Sequence, residues 1–220
     1  MGNPKKLKKL KLMKRNGSKI IYRFVKRCFD VLNSILAIMF FLPLLMVIAI
    51  LVKLDYKGRV IFVHQRLGLN GKIIKVYKFR TMVTNAQQIL NDMPEKMRRE
   101  FEENFKFAND LRVTKLGKFL RESSLDELPQ LMNIIKGEMS IVGPRPIVIR
   151  EKIKYGKYYN KLLTVKPGLT GNWQVSGRSD TTYEERVQLD MDYIDSRSFF
   201  RDIIIILKTV GAVIRKVGAK

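Results

Sequence analysis

The sequence contains very little cysteine and histidine. Cys28 and His64 are the single residues of their kinds among 220. One cysteine excludes a disulfide within the chain, and this usage fits a reducing compartment. One histidine excludes a metal site built from several imidazoles, and a Ser-His-Asp arrangement would have to use His64. We therefore expect general base chemistry to come from carboxylates.

Acidic residues are absent from the first part of the chain. Residues 5–27 contain eleven lysines and arginines, and the first acidic residue is Asp30. The whole chain has a net charge of +23, which requires an anionic partner: nucleic acid, anionic lipid or a phosphorylated substrate. We interpret residues 1–19 as a basic leader, either a solvated tail or a segment that contacts an anionic membrane surface.

Charge is also absent from residues 35–52, which are eighteen in number and apolar. This length is sufficient for a transmembrane helix. Both flanks are basic, however, and Pro43 lies at the midpoint. A span carries most of its flanking cations on one side, and proline breaks or kinks a helix. We therefore favour an interfacial and re-entrant membrane helix over residues 20–57, broken at Pro43, with a proline-kinked span as the alternative.

Residues 58–220 are predicted to form the soluble portion of the chain. β-Rich runs at 59–65 and 72–79 flank a Gly-Leu-Asn-Gly turn, which is typical of a hairpin. A short buried strand is expected before residue 143, and the apolar run 203–207 is typical of a core or interfacial helix. The expected fold is α+β: a helix-rich membrane-associated domain with a small β-hairpin or sheet and the N-terminal re-entrant helix.

Two adjacent carboxylates, Asp126 and Glu127, follow a polar turn and precede an apolar helix. Ser124 and Glu127 have the spacing of a capping box, which would make the acidic pair structural. Pro129 favours a second interpretation, in which the helix begins at Asp126 and the proline falls in its first turn. Asp126 would then keep free lone pairs at a helix N-terminus, which is a favourable site for phosphate chemistry.

Further anion-binding signals lie on predicted turns and strand ends. Lys78 and Arg80 stand at a strand end, and Arg145 between two prolines is presented with little conformational freedom. A glycine-rich loop at 166–180 allows close approach of a ligand. It is not a Walker loop, and the chain has no dinucleotide fingerprint. Together with the membrane segment, these features suggest chemistry on a phosphorylated group at a bilayer surface.

Four ordered blocks resemble the signatures of the bacterial sugar transferases, the monotopic polyprenyl-phosphate phosphoglycosyl transferases, in their minimal catalytic form. The blocks are YKFRTM at 77–82, SLDELPQ at 124–130, VGPRP at 142–146 and KPGLTG at 166–171. The resemblance implies transfer of a sugar-1-phosphate from a UDP-sugar to polyprenyl (undecaprenyl) phosphate, with release of UMP. It also implies a first membrane step of polysaccharide synthesis, with residues 58–220 as the catalytic domain on the cytoplasmic (cytosolic) face of the bacterial inner membrane.

The same resemblance implies roles for particular residues. Asp126 would attack the sugar-bearing phosphorus and form a phosphoglycosyl-aspartate, and Glu127 with Asp126 would hold Mg²⁺. The residues implied to bind substrate are Lys78, Arg80, Arg121, Arg145, Gln174 and Arg178. The run 173–180 is similar to that of hexose-1-phosphate transferring members, which favours galactose or glucose.

One position departs from the family pattern. A Ser-Pro pair is typical of the re-entrant break, whereas Leu42 precedes Pro43 here. The serine hydroxyl that could satisfy a freed carbonyl is therefore missing.

The expected partners are a UDP-sugar, polyprenyl phosphate and anionic membrane lipid, without nucleic acid, and a homo-oligomer is left open. The rival interpretations are a membrane-tethered nucleic-acid-binding protein, which would also explain the charge, and a membrane scaffold without enzymatic activity. In the scaffold, Asp126 and Glu127 would only cap a helix.

Overall fold

The computed structural model describes residues 4–95, 97, 107, 110–177 and 181–214, with side chains between residues 20 and 213. Its helices are α1 (Pro4–Asp55), α2 (Ala86–Asn91), α3 (Lys115–Glu122), α4 (Leu131–Lys136), α5 (Lys152–Tyr155), α6 (Tyr159–Leu162), α7 (Tyr183–Ser196) and α8 (Phe199–Ile214). Its strands are β1 (Ile61–Leu67), β2 (Ile73–Phe79), β3 (Ser140–Val142) and β4 (Gly168–Thr170). The predicted helix-rich α+β class, with small sheets and a long apolar N-terminal helix, is confirmed.

Helix α1 contacts the rest of the protein through one face. Asp30, Ile48 and Val52 are buried, at spacings that place them on one side of a helix. Pro43 lies inside α1, which continues as a helix to Asp55. The proline therefore does not divide the segment into two separate helices, because packing on both sides of it holds the helical conformation despite the missing amide donor. Re-entry into the membrane stays a prediction.

The opposite face of α1 is apolar and exposed. Helix α8 lies beside α1, with the ring of Phe199 centred 5.3 Å from that of Phe29. The exposed apolar side chains of the two helices include Phe24, Leu32, Phe40, Ile50, Leu54, Phe200, Ile204 and Leu207. A contiguous surface of this kind indicates contact with a membrane. Within the described residues, 20–55 also form one helix that is long and apolar enough to cross a bilayer, judged by length and composition alone.

The predicted hairpin of β1 and β2 is confirmed. Phe62 lies opposite Lys78, and Arg66 lies opposite Ile74. Residues opposite each other in an antiparallel pair project from the same face of the sheet, and alternate residues of one strand share a face. Lys78 and Arg66 therefore project from the same face of the hairpin.

The parallel pair of β3 and β4 brings two distant segments together. Ser140 pairs with Gly168 and Val142 with Thr170, which confirms the short buried strand predicted before residue 143. A Cβ atom on Gly168 would lie 2.1 Å from the backbone nitrogen of Gly143, so a side chain at residue 168 would collide with the neighbouring backbone. Glycine at this position allows the 142–146 turn to lie directly against the 166–171 loop.

Clusters of buried apolar side chains join these elements. The first cluster includes Leu67, Val142, Met191 and Ile205. The second includes Ile74, Val76, Leu131 and Ile134, and Ala37 and Ile38 of α1 pack against it. The third includes Ile48, Val52, Phe79 and Leu120. Because α1 contributes to the second and third clusters, it is part of the domain core as well as of the apolar outer surface.

A buried carboxylate ties α1 to the C-terminal helices. Asp202 of α8 is 2% exposed. It accepts hydrogen bonds from the Tyr22 hydroxyl at 2.9 Å, the Lys26 ammonium at 2.8 Å and the Tyr193 hydroxyl at 2.7 Å. These donors come from α1 and α7, so one side chain connects three helices.

Replacing Asp202 with asparagine is expected to destabilise the fold. The change leaves the half-buried Lys26 ammonium without a countercharge, and losing one partner of such a pair lowers the free energy of unfolding by about 2–4 kcal/mol. Thermal and urea unfolding of the detergent-solubilised protein measures the loss. Asp195→Asn is the control, because its ion pair with Lys161 is exposed and is worth about 0.5 kcal/mol. Equal losses in the two variants would contradict the assigned importance of the Asp202 network.

Candidate active site

The carboxylate pair lies on a short 3-10 helix. This helix covers Leu125–Gln130 and leads into α4. Ser124, directly before it, has φ 58° and makes no side-chain capping bond, so the capping box is not formed. The prediction of a helix beginning at Asp126 was also inaccurate: the turn begins one residue earlier with 3-10 geometry, and the regular α-helix begins at Leu131. Pro129 has no amide hydrogen, which favours this arrangement over a regular first α-helical turn.

The left-handed conformation of Ser124 is uncommon for a residue with a side chain and costs about 1–3 kcal/mol where it occurs. Such conformations cluster at functional sites. Here it turns the chain between α3 and the carboxylates.

Lys78 connects the hairpin to both carboxylates. Its ammonium donates to the Glu127 Oε1 atom at 2.5 Å and lies 4.0 Å from Asp126 Oδ2. Asp126 is 7% exposed and accepts no hydrogen bond from any residue that the structure describes. Glu127 is therefore directly paired, whereas Asp126 keeps its lone pairs near a cation without being bonded to it.

The environments of the two acids separate their pKa values. Burial raises the pKa of Asp126 to about 6, against the opposing attraction of Lys78. Burial also acts to raise the pKa of Glu127, but Lys78 and Arg145 outweigh it and the pKa is lowered. At neutral pH Glu127 is an ion-paired carboxylate and Asp126 is a weakly solvated, mostly ionised one. Paired acids with separated pKa values are typical of sites where the two groups have different chemical roles.

Next to the pair lies a small open cleft, called here the cationic cleft. It is lined by Arg66, Val76, Lys78, Glu127, Gln130, Arg145, Pro146, Gly168, Leu169 and Gln174. The structure thus brings together four of the predicted site residues: Lys78, Glu127, Arg145 and Gln174. Three cations face one carboxylate among the lining side chains, which suits an anionic ligand.

Two lining residues, Arg66 and Gln130, were missed from the sequence. Arg66 lies one residue beyond the predicted first strand run, and the register of the hairpin places it on the same face as Lys78. Its guanidinium lies 3.3 Å from the Nδ1 atom of His64 and 4.0 Å from Glu151. Burial lowers the pKa of His64 to about 4, so this imidazole is neutral and can accept a hydrogen bond from Arg66.

Arg145 is held where its flanking prolines were predicted to present it. The carbonyl of Pro144 accepts a hydrogen bond from the Gly168 amide at 2.8 Å, which fastens the turn to β4. The Arg145 guanidinium lies 5.6 Å from the centre of the Trp173 ring, and that of Arg186 lies 4.7 Å from the same ring. These cation–π contacts orient the two guanidinium groups without neutralising their charge.

The remaining predicted cations differ in position. Arg121 donates from Nε to the Thr81 hydroxyl at 2.9 Å; burial lowers its pKa, and the neighbouring Asp126 partly opposes this effect. Arg80 points away from the cleft and donates to the carbonyls of Val52 and Tyr56 at the end of α1, so the structure does not bring it to the carboxylates. Arg178 lies outside the described residues.

The donor set fits the predicted Mg²⁺ in a limited sense. No group of three or more His, Cys, Asp or Glu side chains lies close enough to bind a metal within the described ranges. Magnesium is nevertheless commonly held by one or two carboxylates together with substrate phosphates. Asp126 and the Glu127 oxygen that is not bonded to Lys78 meet that requirement, so a site completed by the substrate is compatible with these residues.

Fold and site together define a membrane-associated domain with two adjacent carboxylates, one of them buried, beside a cleft for an anionic ligand. The sequence model described as bacterial sugar transferase matches residues 21–216. The chain belongs to the bacterial sugar transferase family, which confirms the resemblance seen in the four blocks.

Curated relatives support this membership. The chain is 45% identical to an uncharacterized sugar transferase of Haemophilus influenzae and 44% identical to an undecaprenyl-phosphate galactose phosphotransferase of Salmonella typhimurium; each match covers 94% of this chain and 44% of the relative. It is 45% identical to the exopolysaccharide production protein ExoY of Rhizobium meliloti, over 86% of this chain and 84% of the relative. The chain therefore spans less than half the length of the first two relatives.

The raised pKa of Asp126 predicts a pH-dependent penalty on stability. Its value of about 6 lies above the roughly 3.9 of an unfolded chain, so ionisation favours unfolding. The penalty is absent below about pH 4, grows up to about pH 6, and reaches at most about 3 kcal/mol above that. Asp126→Asn removes it, so the variant should be more stable than the parent at neutral pH and equally stable in acid. Urea unfolding in EDTA across this pH range measures the difference.

Asp110→Asn is the matched control of opposite sign. Burial acts to raise the pKa of Asp110, but its hydrogen bonds with Arg112 lower it, so its ionised form stabilises the fold. That variant should lose stability at neutral pH, with the loss shrinking as the pH falls towards the lowered pKa. A destabilised Asp126→Asn protein at neutral pH would contradict the burial penalty.

Proposed function

We propose that this protein transfers a hexose-1-phosphate from a UDP-sugar to polyprenyl phosphate and releases UMP. The observation that carries the proposal is Asp126: a buried, mostly ionised carboxylate that accepts no hydrogen bond from the described residues and lies beside Lys78, next to the cationic cleft. A carboxylate in this state is poorly solvated and therefore a better nucleophile than one in water. The name of the Salmonella relative, which acts on galactose and undecaprenyl phosphate, supports the choice of substrates.

In the first step an Asp126 oxygen attacks the phosphorus that carries the sugar. A bond forms between that oxygen and the phosphorus, and the bond from the phosphorus to the bridging oxygen of the diphosphate breaks. The electron pair leaves with UMP, and the sugar phosphate stays on Asp126 as a mixed anhydride.

In the second step an oxygen of the polyprenyl phosphate attacks the same phosphorus. The bond from Asp126 to phosphorus breaks, and the carboxylate is regenerated. The product is a polyprenyl diphosphate sugar. Because both steps occur at one phosphorus, Asp126 has to be reached from the donor side and the lipid side in turn.

The attack brings an anion towards an anion and therefore needs positive charge nearby. Lys78 lies 4.0 Å from Asp126, and Arg66 and Arg145 line the cleft next to it. These cations offset the charge of the diphosphate and stabilise the charge that develops on the leaving phosphate. When bound by Glu127 and Asp126, Mg²⁺ would add further positive charge at the same place.

The same proposal places the domain on the cytoplasmic face of the bacterial inner membrane, where UDP-sugars and the lipid phosphate meet. The apolar outer face of α1 and α8 supports the membrane contact. The basic segment at 5–27 would add attraction to anionic lipid. The site then lies in a domain whose core includes the membrane-contacting helix.

The direct test is UMP release from UDP-glucose and UDP-galactose by detergent-solubilised protein with Mg²⁺ and undecaprenyl phosphate. The parent protein should release UMP, and without lipid it should retain one labelled sugar phosphate per chain after acid quenching. Asp126→Asn should lose at least about 10³-fold in rate and retain no label.

Asp195→Asn serves as the control, because the Asp195 side chain is exposed, pairs with Lys161 and does not line the cationic cleft. This variant should keep the parent rate. Full activity of the Asp126→Asn variant would exclude Asp126 as the nucleophile. No UMP release by the parent with any UDP-sugar would count against the enzyme itself.

A further inference from the structure

We propose that the side-chain amide of Gln130 recognises a hydroxyl group of the donor sugar. This assignment rests on the proposed function and deepens it, because it names a residue that recognises the sugar of the transferred sugar phosphate. Gln130 lines the cationic cleft, yet it carries no charge.

The 3-10 helix places Gln130 next to the reactive pair. Side chains three residues apart on such a helix lie almost directly above one another, so Gln130 shares a face with Glu127. The rise of about 2.0 Å per residue separates the two by about 6 Å along the axis. A group bound by Gln130 therefore lies in the cleft beside the carboxylate pair.

The side-chain amide of Gln130 has no hydrogen-bond partner within the described part of the chain. Its side chain is 2% exposed, and it makes no hydrogen bond with any of the residues that the structure describes. Its donor and acceptor atoms are therefore available to a ligand or to water in the cleft.

Asn133, one turn further on, shows the contrast. It is fully buried, but its nitrogen donates to the Lys75 carbonyl and to Glu138, and its oxygen accepts from the Tyr77 amide. The structure thus satisfies the amide that holds the hairpin to α4 and leaves the amide in the cleft open. Packing alone accounts for Asn133 and does not account for Gln130.

The surroundings of Gln130 favour a hydroxyl over a phosphate. Arg66, Lys78 and Arg145 supply the cleft with cations that suit a diphosphate. A carboxamide offers one donor group and one acceptor, which matches a hydroxyl that also donates and accepts. Val76 and Leu169 line the same cleft and provide apolar surface for the C–H face of a sugar ring.

The experiment compares binding of UDP with binding of UDP-glucose and UDP-galactose, by calorimetry with Mg²⁺ in detergent. Asp126→Asn is the parent, because it prevents turnover. Adding Gln130→Leu should weaken binding of at least one UDP-sugar by about 10–100-fold, the loss expected for one buried hydrogen bond. Binding of UDP should stay within about twofold, because UDP lacks the sugar.

Gln130→Leu should fold, since it replaces an unsatisfied amide with an apolar group of similar size; Gln130→Met is the second variant if it does not. Gln65→Leu is the matched control, because Gln65 is exposed and projects from the other face of the hairpin. It should change no affinity.

The outcomes separate the alternatives. Equal loss of UDP and UDP-sugar binding would assign Gln130 to the diphosphate or the metal and overturn the proposal, as would unchanged binding of both sugars. Failure of the unsubstituted protein to bind UDP would overturn the proposed function, and the sugar assignment with it. The two failures are distinguished by whether the unsubstituted protein binds UDP, which carries no sugar to transfer.

Discussion

The site depends on one ion-pair arrangement: a single lysine on a β-hairpin facing two adjacent carboxylates on a 3-10 helix. Lys78 bonds to Glu127 and stays 4.0 Å from Asp126. One acid is thereby held as a paired anion, and the other is left buried and incompletely compensated. Burial dominates at Asp126 and raises its pKa, whereas at Glu127 the attraction of Lys78 and Arg145 outweighs burial and lowers the pKa.

The membrane-contacting helix is joined to this site by polar contacts at its middle and at its end. Near the middle of α1, Arg27 donates to the carbonyls of Ile134 and Ile135 at the end of α4, where a cation also complements the helix dipole. Near the end of α1, Arg80 donates to the carbonyl of Val52. Helix α4 continues directly from the carboxylate turn. The contacts between Arg27 and the end of α4 therefore help to fix Asp126 in position relative to α1.

Much of the fold follows from local patterns. The apolar run, the hairpin with its turn glycines and the short strand before Gly143 were predicted because each depends on residues close in sequence. The candidate site was predicted in part: the blocks around Lys78, Asp126 and Arg145 were recognised, and the structure brings their side chains together. The 3-10 geometry at Leu125–Gln130 was not predicted, because capping rules describe α-helices and Pro129 could be accommodated in more than one way.

The sequence by itself determined the residue types of the site, the membrane segment and the family, since these are contained in contiguous blocks. Tertiary structure alone decided which cations reach the cleft. Arg80 and Lys78 are two residues apart, yet one binds the end of α1 and the other binds Glu127. Arg66 lines the cleft because of the register of the hairpin, and Gln130 lines it because of the 3-10 geometry of its turn. The physical reason is that a side chain's partner depends on which faces of distant elements pack together, and those long-range contacts are not encoded in local spacing.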